Sequence, residues 1–155
     1  MCRLGGRIRS SLFFGTLIGL SLATQNSAFG RDANVAELSY SYLRQWSLDA
    51  EGAVQAVTDM YAPRIRFYGR TLDRVQLRRE KLNHIRRWPI RSYVLRPDTV
   101  RVTCTSARCL LAGVMDWRVQ RGTRVSQGAS TFSQEFLLAP QPKIVSESGR
   151  VLVRN

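Results

Sequence analysis

The spacing of apolar side chains changes near residue 90: before it they recur at helical intervals, and after it they alternate with polar ones almost to the end of the chain. The first half predicts a helix from an Asp32 cap to about Trp46, with Leu38, Tyr42 and Trp46 forming a partial stripe. A second helix is expected from an Asp49 cap, with Ala53, Val54, Val57, Met60 and Tyr61 on one face. Pro63 ends it, and Ile65 and Phe67 then alternate with Arg64, Arg66 and Tyr68 in a short strand closed by Gly69. Thr71 is the expected cap of a third helix, with Asp73 in its first turn, where the backbone dipole favours a negative charge. Pro89 stops this helix near Arg87 or Trp88, because the residue before a proline is driven out of the helical region.

Along the third helix, Leu72, Val75, Leu82 and Ile85 lie on one side, and Leu77 and Trp88 widen that side into a broad apolar arc. Lys81 falls inside the arc and His84 on its edge. A lysine there either faces an interior pocket or buries its stem and lifts its ammonium to water, and the second arrangement is the commoner one.

In the second half, Tyr93 and Leu95 lead to Pro97-Asp98, after which Val100, Val102 and Cys104 alternate with Thr99, Arg101 and Thr103. Cys109, Leu111, Gly113, Met115 and Trp117 share one face of the next strand, opposite Leu110, Ala112, Val114, Asp116 and Arg118. A turn at Arg121-Gly122-Thr123 precedes a long strand from Val125 to Leu138, which is expected to bend or bulge at Gly128. Pro140-Gln141-Pro142 breaks it, and Lys143 to Val153 reads as a last strand with a bulge at Ser148-Gly149. Helices first and long antiparallel strands afterwards predict an α+β fold. N-terminal helices pack against a strongly curved antiparallel sheet, and the resulting cone encloses a cavity.

The amino terminus alters this picture. Arg3, Arg7 and Arg9 precede an apolar run from Leu12 to Leu22 and then small residues, the pattern of a secretory signal peptide, with cleavage signals at Ser21-Leu22-Ala23 and Ala28-Phe29-Gly30. The run is too short for a stable bilayer anchor, and no cysteine follows it to carry a lipid. Residues 1–30 therefore read as a leader and 31–155 as one domain, with no internal repeat or linker, destined for the periplasm or for secretion. Losing those 30 residues and their three arginines leaves 125 residues with ten net positive charges. All remaining basic side chains except Lys81 and Lys143 are arginines. Such a surface suits polyanions in general, but the arginines are dispersed and no stacking aromatics interleave them, so nucleic acid is not the expected partner. Cys104 and Cys109 remain after processing and read as a disulfide closing a hairpin, with free thiols as the alternative. One histidine and two such cysteines make no zinc site, and no cofactor is signalled.

Tyr61, the turn Phe67-Tyr68-Gly69, Lys81 and the segment Arg87-Trp88-Pro89-Ile90-Arg91-Ser92-Tyr93, together with this order of elements, resemble the nuclear transport factor 2-like superfamily, also called the SnoaL-like or cone-shaped α+β fold. More narrowly, the chain looks like exported bacterial members in which a tyrosine-glycine turn, a helical lysine and a Trp-Pro-x-Arg-x-Tyr segment precede a cysteine-bearing hairpin. The resemblance covers Leu48 to Arg154. It implies a cone whose interior, in catalytic members, holds an aspartate, histidine or tyrosine as acid or base. Pocket candidates are thus Tyr61, Tyr68, Lys81, His84, Trp88, Tyr93, Asp116, Glu135 and Glu147. An inward Glu147 opposite Lys81 would form a buried ion pair, costly to desolvate and therefore kept for a reason. These residues match no named enzyme's pattern, so the leading expectation is a non-catalytic module binding a small ligand, a cell-envelope component such as a glycan, or a protein. A cofactor-independent isomerase, dehydratase or hydrolase is the first alternative, and polyanion binding the second. Pairing of two copies through an outer sheet surface of Leu110, Val114, Phe132 and Phe136 is a further expectation.

Overall fold

A computed structural model describes residues 25–48 and 51–155. Most of the segment expected as a leader, the residues before Gln25, and Asp49, expected as a helix cap, lie outside the described residues. Three helices, α1 (Gln25–Ser47), α2 (Glu51–Asp59) and α3 (Arg74–Arg87), lie against one sheet of eight strands. The strands are β1 (Tyr61–Phe67), β2 (Arg70–Asp73), β3 (Ile90–Leu95), β4 (Arg101–Cys104), β5 (Arg108–Arg121), β6 (Arg124–Leu137), β7 (Lys143–Ser148) and β8 (Val151–Arg154). The order across the sheet is β2-β1-β7-β6-β5-β3, with β4 also on β5 and β8 also on β6. All pairs are antiparallel except β1 and β7.

The helix ends depart from the expected ones for local reasons. Asp32 lies within α1 rather than at its start. The cap of α3 is Asp73, not Thr71, since Thr71 is spent pairing with Arg66 in the β1–β2 hairpin. Asp73 accepts from the Gln76 amide at 2.8 Å while Gln76 accepts from the Asp73 amide at 3.0 Å, a reciprocal box that satisfies two otherwise open donors. Starting the helix later takes Leu72 onto β2 and turns Val75 to solvent at 69% exposure. The buried face of α3 narrows to Leu77, Lys81 and Ile85.

Its other end stops at Trp88, as the proline requires, and Arg91 explains the rest of that segment. The Arg91 guanidinium is buried and donates to the carbonyls of Trp46 (3.2 Å), Trp88 (3.0 Å), Pro89 (2.9 Å) and Leu48. One side chain thereby closes the carboxyl ends of both α1 and α3, whose last carbonyls have no partner within the helix.

Strands β5 and β6 pair without a register break from Arg108↔Leu137 to Arg121↔Arg124, on either side of a Gly122-Thr123 turn in which Gly122 has φ +56°. Gly128 is therefore not a bulge on that side. The irregularity lies on the opposite edge, between Ala129 and Ser130 facing β8. A Cβ at Gly128 would stand 2.0 Å from the Val153 carbonyl oxygen, and one at Gly149 2.4 Å from that of Thr131. Both glycines permit backbones to approach, and what the alternation suggested was one last strand is two, β7 and β8, each on β6. Phe132 and Phe136 point inward at 2% and 1% exposure, so they do not form an outer apolar surface. With Tyr42, Leu77, Leu111 and Ile144 they build the core between sheet and helices. Cys104 and Cys109, directly opposed in the β4–β5 register, form the disulfide. Among the described residues no helix is long and apolar enough to cross a membrane.

Candidate functional site

Between α1, α3 and the inner face of the sheet lies a cavity of about 380 Å³, within the size range of small-ligand pockets. Leu43 and Trp46 of α1, Phe67 of β1, Met115 of β5 and Phe132 of β6 give it apolar walls. Its floor is polar. Lys81, held inward between Leu77 and Ile85 on α3, is 3% exposed, and Glu147, near the end of β7, is 4% exposed. Nζ of Lys81 lies 3.9 Å from Oε1 of Glu147, so the expected buried pair forms, at the long end of ion-pair distance.

The rest of the network ties those charges together. Lys81 donates to the Tyr42 hydroxyl, and Tyr61 donates to Oε2 of Glu147. The two phenol oxygens are 2.9 Å apart. Because Tyr61 spends its one proton on the carboxylate, Tyr42 donates to Tyr61, giving a chain from ammonium to carboxylate through two tyrosines. Gln134 donates to the same Oε2 at 3.0 Å and accepts from the Ser39 hydroxyl at 2.9 Å. Oε1 accepts no hydrogen bond from the described residues and belongs to a side chain lining the cavity.

Four rings surround the ammonium, with Nζ 4.5 Å from the centre of Trp46, 4.9 Å from Tyr42 and Phe67, and 5.4 Å from Tyr61. Their faces supply the negative potential that lets a buried ammonium persist. Burial still lowers the Lys81 pKa, with Glu147 opposing the shift. Burial, then Glu147, raises Tyr42 and Tyr61 well above the ordinary phenol value. Tyr68 rises for the same two reasons, and Tyr93 chiefly through burial. All four stay protonated at neutral pH.

His84 forms part of the wall, its ring 5.6 Å from that of Trp46. Burial, and then the positive charges of Lys81, Arg91 and Arg87, push its pKa down to about 4. A neutral imidazole facing a phenol that keeps its proton accepts, so Tyr93 donates to Nε2 of His84 at 2.6 Å.

Of the sequence candidates, Tyr68, Lys81, His84, Tyr93 and Glu147 meet at the cavity, and Tyr61 lies just beneath it. Trp88, Asp116 and Glu135 do not. Trp88 lies between the guanidinium groups of Arg87 and Arg124, at 5.8 Å and 5.2 Å. Asp116 lies on the outer face, held by Arg96 at 2.7 and 2.9 Å, and Glu135 is paired with Arg108 at 2.7 Å. Strand parity places both outside: their neighbours Met115 and Phe136 point in, and alternate residues point out. Sequence reasoning missed Tyr42 and Gln134 as members of the network. Tyr42 was visible only as part of a stripe. Gln134 carried a sharper signal, a polar residue alternating in step with Phe132 and Phe136. Asp32 lies within 4.8 Å of Cys104 and Cys109, but the sulfurs are joined to each other and offer no thiolate to a metal.

No protein-family model matches the chain, and no curated protein matches it. Solved structures do. A candidate scytalone dehydratase from Novosphingobium aromaticivorans superposes with a TM-score of 0.69 at 7% identity, over 84% of this chain and 88% of its own. A protein from the same organism, described as nuclear transport factor 2-like with a cystatin-like fold, gives 0.67 at 16% identity over 86% and 92%. The hexachlorocyclohexane dehydrochlorinase LinA-type3 of Novosphingobium barchaimii gives 0.69 at 12% identity over 84% and 92%. At these identities the likeness is one of fold.

Proposed function

We propose, from the premise that this chain has the nuclear transport factor 2-like fold, that it is an exported binding module whose cone takes up one small, largely apolar ligand. One observation carries the reading: a cavity of about 380 Å³ with aromatic walls ends on a buried Lys81–Glu147 pair hydrogen-bonded to Tyr42, Tyr61 and Gln134, the last held in turn by Ser39. Groups so engaged shape and polarise a pocket. The tyrosines, shifted up, and His84, shifted down, are held away from neutral pH, while burial moves Lys81 toward it against the opposing charge of Glu147. The free side of Glu147 Oε1 favours a ligand with a hydroxyl or amine at its inner end.

The cofactor-independent enzyme is the second reading, favoured by the neutral His84 held by Tyr93 at the cavity wall and by the names of two structural neighbours. A ligand screen by thermal shift, followed by incubation and mass analysis of each hit, separates the two. Binding that survives unchanged recovery of the compound supports the module. Saturable turnover lost in His84→Gln or Glu147→Gln, with the fold intact, replaces it with the enzyme.

Export rests on the leader pattern. The disulfide and the lack of a membrane-crossing helix among the described residues are compatible with a periplasmic or extracellular location. Cleavage after Gly30 would fall within α1, and cleavage after Ala23 would fall before its first described residue, Gln25. The intact mass of the exported protein decides between them.

A further inference from the structure

At the rim of the cavity, α3 presents Asn83 and, one turn on, Arg87, which therefore sit side by side on one helix face. Both are exposed and both line the opening. The third α3 residue at the rim, Glu80, is already engaged by Arg70 at 2.9 Å. Arg87 has no such partner. Among the described residues no carboxylate lies within 4.0 Å of its guanidinium, and its contact is the face of Trp88, 5.8 Å away. Inside, the Lys81 charge is answered by Glu147, so the rim guanidinium is the unbalanced charge of the site. His84, between floor and rim, is kept neutral first by burial and then by the charges of Lys81, Arg91 and, least of the three, Arg87.

We propose, building on the binding reading above, that the ligand class is a monoanionic amphiphile: an organic carboxylate whose apolar body enters between Trp46, Phe67 and Phe132 while its carboxylate stays at the rim on Arg87 and Asn83. A guanidinium offers a planar pair of donors that matches a carboxylate, and the amide beside it adds a third. The Trp88 ring 5.8 Å from the guanidinium carbon supplies an aromatic neighbour on one side of the anion site. A single uncompensated cation matches one negative charge. An apolar tunnel that ends in a paired Lys–Glu floor would instead reject a second anion at the inner end, because Glu147 would face it.

The experiment titrates the protein as recovered after export with matched acid and amide pairs, naphthalene-2-carboxylate against naphthalene-2-carboxamide and decanoate against decanamide, followed by calorimetry. The expected result is that each acid binds about tenfold more tightly than its amide at low salt. Arg87→Gln removes that preference, while Arg79→Gln, on the same helix but away from the cavity, keeps it. Thermal melts of both variants verify folding. Equal binding of acid and amide, or a preference that persists in Arg87→Gln, overturns the carboxylate assignment while leaving the cavity reading in place. If neither member of either pair binds, the cavity reading itself fails, and this inference with it.

Discussion

Removing either member of the Lys81–Glu147 pair should be far more damaging than its share of the fold suggests, and removing both should be much less damaging than the two losses added. Lys81→Met keeps the side-chain length within the four rings but leaves a buried carboxylate with only Tyr61 and Gln134. Glu147→Gln keeps an acceptor for those two donors but leaves the ammonium without its counter-charge. Breaking one side of a buried pair costs about 3–5 kcal/mol. At 3.9 Å the mutual attraction in a medium of effective dielectric ~20 is about 4 kcal/mol, and that is the part both single variants lose. The double variant should then cost about 4 kcal/mol less than the sum of the singles. Urea unfolding measures it, and with a slope of about 1–3 kcal/mol per molar urea each single variant lowers the midpoint by about a molar or more. Losses that add to within about 0.5 kcal/mol would refute the coupling and leave the ammonium supported by its aromatic rings alone.

The remaining predictions follow from individual contacts. His84 is surrounded by Lys81 and Arg87 of α3, Arg91 and Tyr93 of β3 and Trp46 of α1, with Glu80 one turn earlier on α3 and Glu147 of β7 the carboxylates lining the same cavity, and its pKa falls from 6.5 to about 4 on folding. The unfolded chain thus takes up a proton that the folded chain refuses. Stability should fall as pH drops from about 6.5 to 4, by up to about 3 kcal/mol from this residue, and His84→Gln should flatten that part of a stability-against-pH curve. Arg91→Lys leaves at least one of four bonded carbonyls without its donor and should lower stability by about 2 kcal/mol in a thermal melt. Gly149→Ala places a methyl 2.4 Å from the Thr131 carbonyl and should strip hydrogen-exchange protection where β6 meets the β7–β8 link, starting with the β6 amide of Thr131 that now donates to the Arg150 carbonyl at 2.9 Å. Cys104→Ser with Cys109→Ser opens a short loop, so it should cost only about 2 kcal/mol and leave acid-against-amide selectivity unchanged.

What could be read from the chain follows the range over which each signal acts. Helix α3 was legible because its stop, Pro89, is a local steric rule and its face is a periodicity. Its start was misread because Thr71 and Asp73 are both good caps, and only the pairing of Thr71 with Arg66 decides between them. The same holds for the late strands. Gly128 and Gly149 announced that something happens there, yet the events are close approaches of Val153 and Thr131, residues that alternation alone cannot bring near. The sequence expectation for Lys81 is an ammonium lifted to water, and Glu147, out of step with buried Ile144, faces inward only through the register shift between β6 and β7. Alternation would have sorted Asp116 and Glu135 outward had the inner face of each strand been known. Once Met115 and Phe136 are fixed as core, each acidic neighbour must face solvent and its arginine.

The polar floor shows why a site of this kind hides in its sequence. Its members come from α1, β1, α3, β6 and β7, with bonded partners as far apart as the 95 positions between Ser39 and Gln134, and no two share a motif. Each alone has an ordinary explanation: a tyrosine in a stripe, a lysine with a long stem, a glutamine in a strand. What makes them one object is the cost of burying charge, which demands that every donor and acceptor be answered at once. The only sequence trace of such a demand is a polar residue where the period calls for an apolar one. Lys81 in its helix and Gln134 in its strand are two such breaches that fall on the same inner surface, and Glu147 joins them through the register shift between β6 and β7. The rim arginine breaks no pattern, because an exposed arginine is expected on a surface helix. Its meaning depends on the carboxylate that is missing beside it, and on Glu80 having already been taken by Arg70. A binding floor can thus be sought in sequence as coincident violations of periodicity, whereas the charge that selects a ligand emerges only when the ion pairs around it have been assigned.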